Sequence, residues 1–180
     1  WLQSLIDEDV FSEVPLAAEK DETKTSLQFL QKWGENGITV EAFENMQADY
    51  TRLFIGPGKV LAPPWESVYR SNERLTFQEQ TLEVRNWYRR FGLEAKKIYR
   101  EPDDHIGLEM LFISHLASLA LQAIEQDDEK TLNEILQAQR EFLSEHLLCW
   151  GPVWAKLVKQ HATTDFYRGI AHLVHGSLQA

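Results

Sequence analysis

Between residues 106 and 121 the chain is apolar on nearly every side: Ile106, Leu108, Met110, Leu111, Phe112, Ile113, Leu116, Leu119 and Leu121 leave hardly a polar face. A run of this length with a helical period is predicted to be a helix surrounded by other helices, because an all-round apolar helix must be covered on every flank. The other apolar positions follow the same period. Phe43, Met46, Tyr50, Leu53 and Phe54 fall on one helix face over 39–55, with Thr39 placed to cap it. Leu27, Leu30 and Trp33 mark a shorter helix ended by Gly34 to Gly37, and Leu82, Val84, Trp87, Tyr88 and Phe91 mark another that Gly92 stops. From Leu132 a helix runs to Trp150, where Gly151-Pro152 is expected to break it; two short helices carrying Trp154 and Phe166 complete the chain. No segment alternates apolar and polar residues, so an all-α, single-domain helical bundle is expected over 180 residues.

Charge narrows the function. The net charge of −10 divides into −8 over residues 1–50, +5 over 51–100 and −7 over 101–180. A field of that sign opposes nucleic acid and favours a cationic partner. The single cysteine, Cys149, excludes an internal disulfide and lies in Leu-Leu-Cys-Trp, an apolar setting expected to hold an inert core thiol. No apolar run reaches the length of a bilayer crossing and the start lacks the basic flank of an export signal, so a cytoplasmic protein is expected. Since the chain opens on Trp1, its N-terminal helix is read as incomplete.

Catalytic and cofactor motifs fail on their spacing. Gly56-Pro57-Gly58 lacks the third glycine of a dinucleotide fingerprint, and Lys59 is not followed by the Ser or Thr of a phosphate loop. No histidine has a glutamate three residues before it, and His172-x-x-His175, with His161 nearby, has no identifiable carboxylate or thiolate to complete a metal site. No nucleophile has a visible base. The expectation is therefore no enzyme, no metal and no cofactor.

Two loop clusters remain. In Ala62-Pro63-Pro64-Trp65-Glu66-Ser67-Val68-Tyr69 the prolines stiffen the backbone and hold Trp65 and Tyr69, either as a plug over the core or as a surface for a ligand. In Glu101-Pro102-Asp103-Asp104-His105 proline suits a helix start, and Asp103 or Asp104 is placed to cap the helix that follows. One aspartate would suffice for capping. Three carboxylates and an imidazole, expected neutral beside the positive helix end, equally describe a binding site.

Together these pieces resemble the TorD/DmsD chaperones of exported molybdoenzymes. The resemblance rests on Tyr50-x-x-Leu53-Phe54, Gly56-Pro57, Ala62-Pro63-Pro64-Trp65 with Ser67-Val68-Tyr69, and Glu101-Pro102-Asp103-Asp104-His105-Ile106-Gly107, in that order. It implies an all-helical fold and binding of the twin-arginine signal peptide of a dimethyl-sulfoxide- or trimethylamine-oxide-reductase-type precursor, export being held back until the molybdenum cofactor is inserted. The peptide-binding residues it implies are Tyr50, Leu53, Phe54, Pro64, Trp65, Tyr69, Glu101, Asp103, Asp104 and His105. Physically, Glu101, Asp103 and Asp104 would meet the arginines, and Leu53, Phe54, Trp65 and Tyr69 would line a groove for the apolar stretch. Glu66 departs from the glycine frequent in close relatives. A homodimer is left open, and the alternative reading is a general helical interaction module.

Overall fold

The structure, a computed structural model, describes residues 21–35, 39–94 and 101–179. The helices are α1 (Asp21–Glu35), α2 (Val40–Tyr50), α3 (Glu66–Arg70), α4 (Glu79–Arg90), α5 (Ile106–Glu125), α6 (Glu129–Phe142), α7 (Leu148–His161) and α8 (Asp165–Ser177). The described residues contain no strand, and the chain is all-α. It divides into two compact units, Trp1–Pro63 with Gly151–Ala180, and Pro64–Trp150. The incomplete helix expected at the N-terminus falls outside the described residues, as does part of the predicted stop at Gly34 to Gly37; α1 itself runs on through Gly34 to Glu35.

Local chemistry sets several boundaries. Thr39 caps α2, its hydroxyl accepting the Ala42 N–H at 3.1 Å. Beyond Tyr50 the helix widens into a π-turn, Thr51–Ile55, and ends at Gly56, where φ is +94° and an added Cβ would lie only 2.9 Å from the Gly58 nitrogen, which disfavours any side chain. Asp128 caps α6 through Thr131, and Gly92 at φ +71° follows the end of α4.

Two predictions of helix ends are corrected. Residues 64–71, read as loop, contain the one-turn helix α3, too short to leave a periodic signal. Pro152 does not break the chain but lies inside α7, and the irregularity falls upstream, in the π-turn Leu143–Leu147.

In the first unit α1 packs lengthwise on α8. Leu30, Trp33, Met46 and Phe166 form its core, and Gly169 of α8 lets the Leu30 side chain lie against the α8 backbone. Buried Asp49 joins α2 to the start of α8 by accepting from the Thr163 and Thr164 amides at 3.0 and 2.9 Å and from the Thr164 hydroxyl at 2.8 Å. Burial alone would raise its pKa; Arg52 and these donors outweigh it and hold the carboxyl below its usual range.

The second unit is organised on α5. Val84 and Tyr88 of α4, Phe112, Leu116, Ala120 and Ala123 of α5, and Ile135 and Phe142 of α6 make one aromatic-rich core. The expectation that α5 is covered on all sides is corrected: Leu111 and Leu121 are 66% and 62% exposed, so the helix buries one face only. By length and composition α5 would nevertheless suffice to cross a bilayer, contrary to the sequence reading. Its inward face, which encloses the Glu109 carboxyl completely, is that of a helix packed on protein.

Candidate functional site

Both loop clusters singled out in the sequence lie in the second unit, and they pair. Ile106 donates its N–H to the Pro64 carbonyl at 2.9 Å and Glu66 donates to the Asp104 carbonyl at 3.0 Å, so that Trp65 and His105 form an isolated antiparallel bridge. Proline at 64 costs nothing here, because only its carbonyl is used. The two rings meet edge to face, 6.3 Å between centroids.

Beneath this bridge the aspartates are buried and already engaged. The Asp104 carboxylate accepts the Ser67 N–H at 2.7 Å on one oxygen and the Thr81 hydroxyl at 2.8 Å on the other. It thus caps α3 rather than α5, a correction to the sequence reading. The α5 cap is His105, whose Nδ1 accepts the Gly107 N–H at 3.0 Å. Asp103 receives the Arg85 fork at 2.8 and 2.6 Å on one carboxylate oxygen, and its carbonyl accepts from the Tyr88 hydroxyl at 3.0 Å.

Glu101 and His105 are less enclosed than the aspartates. Glu101 is exposed and takes the Trp65 indole N–H at 2.8 Å. His105 is partly buried, and that burial lowers its pKa against the opposing pull of Glu101 and Asp104, so the imidazole is neutral at pH 7. With Nδ1 accepting from Gly107, Nε2 carries the proton and remains a donor. The neutral form is as expected, and burial is its largest cause.

Sequence reasoning missed the polar groups packed behind these loops. Glu66, wholly buried, pairs with Arg70 and lies 3.0 Å from Nδ1 of His146; Arg70 also donates to the Glu145 carbonyl at 2.6 Å. Glu109 accepts from the Trp150 indole at 3.2 Å, and its other oxygen has no partner among the described residues. Burial, with Glu66 close by, holds its pKa well above the usual carboxylate value. A lone carboxylate within the apolar 106–121 run was the available signal.

A carboxyl whose folded pKa is raised adds no penalty below its unfolded pKa, and lowers stability as pH rises from there toward the folded pKa. Glu109→Gln keeps an acceptor for Trp150, so it should stabilise the protein increasingly above about pH 4.5, with no gain in acid. Urea melts of both proteins across pH would check this; a gain independent of pH would contradict it.

Other candidates fall elsewhere. Leu53 and Phe54 belong to the first unit and are buried at 0% and 8% exposure, whereas Tyr50 of that unit is 45% exposed. Tyr69 is largely enclosed, its ring 5.3 Å from that of Trp150 and its buried hydroxyl unpartnered among the described residues. Cys149, expected in the core, is exposed. Contrary to expectation, His172 and His175 do have a carboxylate: Glu22, which also pairs with Lys159 at 2.8 Å. The ammonium sits among them, and among the described residues no group of three or more metal-ligating side chains is placed to hold an ion.

Comparison with known proteins places this architecture. The model of the nitrate reductase delta subunit family matches residues 15–156. The chain is 27% identical to chaperone protein TorD of Aliivibrio salmonicida over 84% of this chain and 69% of that one. It is 28% identical to chaperone protein TorD of Photobacterium profundum over 97% and 86%, and 27% identical to the Tat proofreading chaperone DmsD of Salmonella typhi over 98% and 75%. An all-helical chain with this matched span belongs to the nitrate reductase delta subunit family, the family of the TorD and DmsD chaperones, which are not enzymes.

Proposed function

We propose that this chain is a cytoplasmic chaperone that binds the twin-arginine signal peptide of an exported molybdoenzyme precursor and holds back its export until cofactor insertion and folding are complete. The observation that carries the reading is the division of labour around the Trp65–His105 bridge. Asp103 and Asp104 are buried and hold Arg85, Ser67 and Thr81, while Glu101 remains exposed beside an indole whose position the Pro63-Pro64 backbone fixes. An exposed carboxylate next to an aromatic ring suits a guanidinium, which pairs with the one and stacks on the other. His105 adds a neutral N–H donor for a peptide carbonyl. The relatives' names support the same reading: chaperone for TorD, Tat proofreading chaperone for DmsD.

Glu101→Gln tests it. Glutamine keeps an acceptor for the Trp65 indole but removes the charge, and an exposed ion pair contributes roughly 0.2–1 kcal/mol. Calorimetric titration with a synthetic twin-arginine signal peptide should show binding by the unmodified chain and about two- to fivefold weaker binding by the variant. Salt should narrow the difference. An unchanged affinity at low ionic strength would remove Glu101 from the site.

A further inference from the structure

The apolar stretch of such a peptide needs exposed apolar surface, and Leu53 and Phe54 are buried in the other unit. In the unit that carries Glu101, the segment 71–78 between α3 and α4 offers it. Leu75 and Phe77 are 54% and 50% exposed, and Leu82 on the following helix is 56% exposed. The segment's two ends hang on one buried group: Asp104 takes the Ser67 amide of α3 and the Thr81 hydroxyl of α4, one on each oxygen. The loop therefore stands on the same Glu-Pro-Asp-Asp-His element that presents Glu101 and His105.

Its backbone is unusual. Arg74 and Phe77 have φ of +53° and +59°, a left-handed conformation that is costly for a bulky aromatic residue. A phenylalanine held this way and half exposed lacks the burial that ordinarily repays such strain. Glu73 and Glu79 stand exposed in and beside the segment, as do Arg70 and Arg74.

Resting on the signal-peptide reading above, we propose that segment 71–78 is the apolar half of the peptide site, Leu75 and Phe77 receiving the apolar stretch of a peptide whose basic residues meet Glu101. The shared anchorage on Asp104 ties the segment to the element that presents Glu101 and keeps the two halves at a fixed spacing, as a peptide basic at one end and apolar beyond it requires.

The test is a double variant, Leu75→Ser with Phe77→Ser, titrated with a synthetic peptide of two arginines followed by an apolar stretch and with the same peptide carrying serines in that stretch. Both replaced side chains are exposed, so helix content by circular dichroism should not change. Affinity for the apolar peptide should fall roughly tenfold or more, since two large apolar contacts are lost, while the serine peptide should bind both proteins equally. A benzoylphenylalanine placed at position 77 should crosslink to the apolar stretch. Equal affinity of the variant for the apolar peptide, a crosslink confined to a second copy of the chain, or no crosslink to the peptide would overturn the proposal. If the unmodified chain does not bind the twin-arginine peptide, the reading beneath it fails; if it binds and the variant binds as well, only this inference fails.

Discussion

Asp104→Ala should destabilise the protein by roughly 3–5 kcal/mol. Its carboxylate is wholly buried and is the acceptor for both the Ser67 amide and the Thr81 hydroxyl. Alanine leaves two buried donors unsatisfied, each costing about 1–3 kcal/mol. Asp104→Asn should cost far less, on the order of 1 kcal/mol. Its carbonyl still accepts from Ser67, and the Thr81 hydroxyl can turn to accept from the amide. Urea denaturation followed by circular dichroism would rank the three proteins. Alanine within 1 kcal/mol of the parent would mean that segment 71–78 does not depend on Asp104, which would also weaken the case for a fixed spacing between Glu101 and Phe77.

Gly169→Val should cost about 3 kcal/mol in the first unit. A Cβ at this position would lie 2.7 and 2.8 Å from Leu30 Cγ and Cδ2 and 3.2 Å from Phe29 Cβ, and Leu30 is fully buried. The helices must separate or Leu30 must leave its rotamer. Two effects compete in the smaller change, Gly169→Ala: the clash costs roughly 1–3 kcal/mol, whereas alanine gains about 1 kcal/mol of helix propensity. The net loss should be about 1 kcal/mol. Valine forgoes most of that gain and adds branches to the clash. A valine variant as stable as the parent would show that α1 and α8 do not pack as closely as Gly169 requires.

The ease with which the helices were read from the sequence, and the difficulty with their partners, have separate physical causes. Period and capping are local: the face of Phe43, Met46 and Tyr50, the Thr39 cap and the Gly92 stop needed only neighbours in the chain. The π-turns at Thr51–Ile55 and Leu143–Leu147 carry no composition of their own, which is why Pro152 was expected to end a helix that the structure continues. The site was legible as two clusters but not as a bridge. Asp103 or Asp104 was placed either to cap α5, the helix they precede, or to bind a ligand, yet Asp104 caps α3, 37 residues earlier. Nothing in the pentapeptide distinguishes those two acceptors' uses, because the donor that wins is chosen by tertiary packing. Exposure misled in both directions: Cys149 in its apolar setting is exposed, and Leu53, offered to a ligand, is fully buried.

Calorimetric titration of the unmodified chain with a synthetic twin-arginine signal peptide, beside the same peptide with both arginines replaced by glutamine, tests the central claim most directly. The account predicts saturable binding of the first peptide and several-fold weaker binding of the second, the difference shrinking as salt is raised because Glu101 is exposed. Equal affinity for the two peptides, or binding of neither, would contradict it.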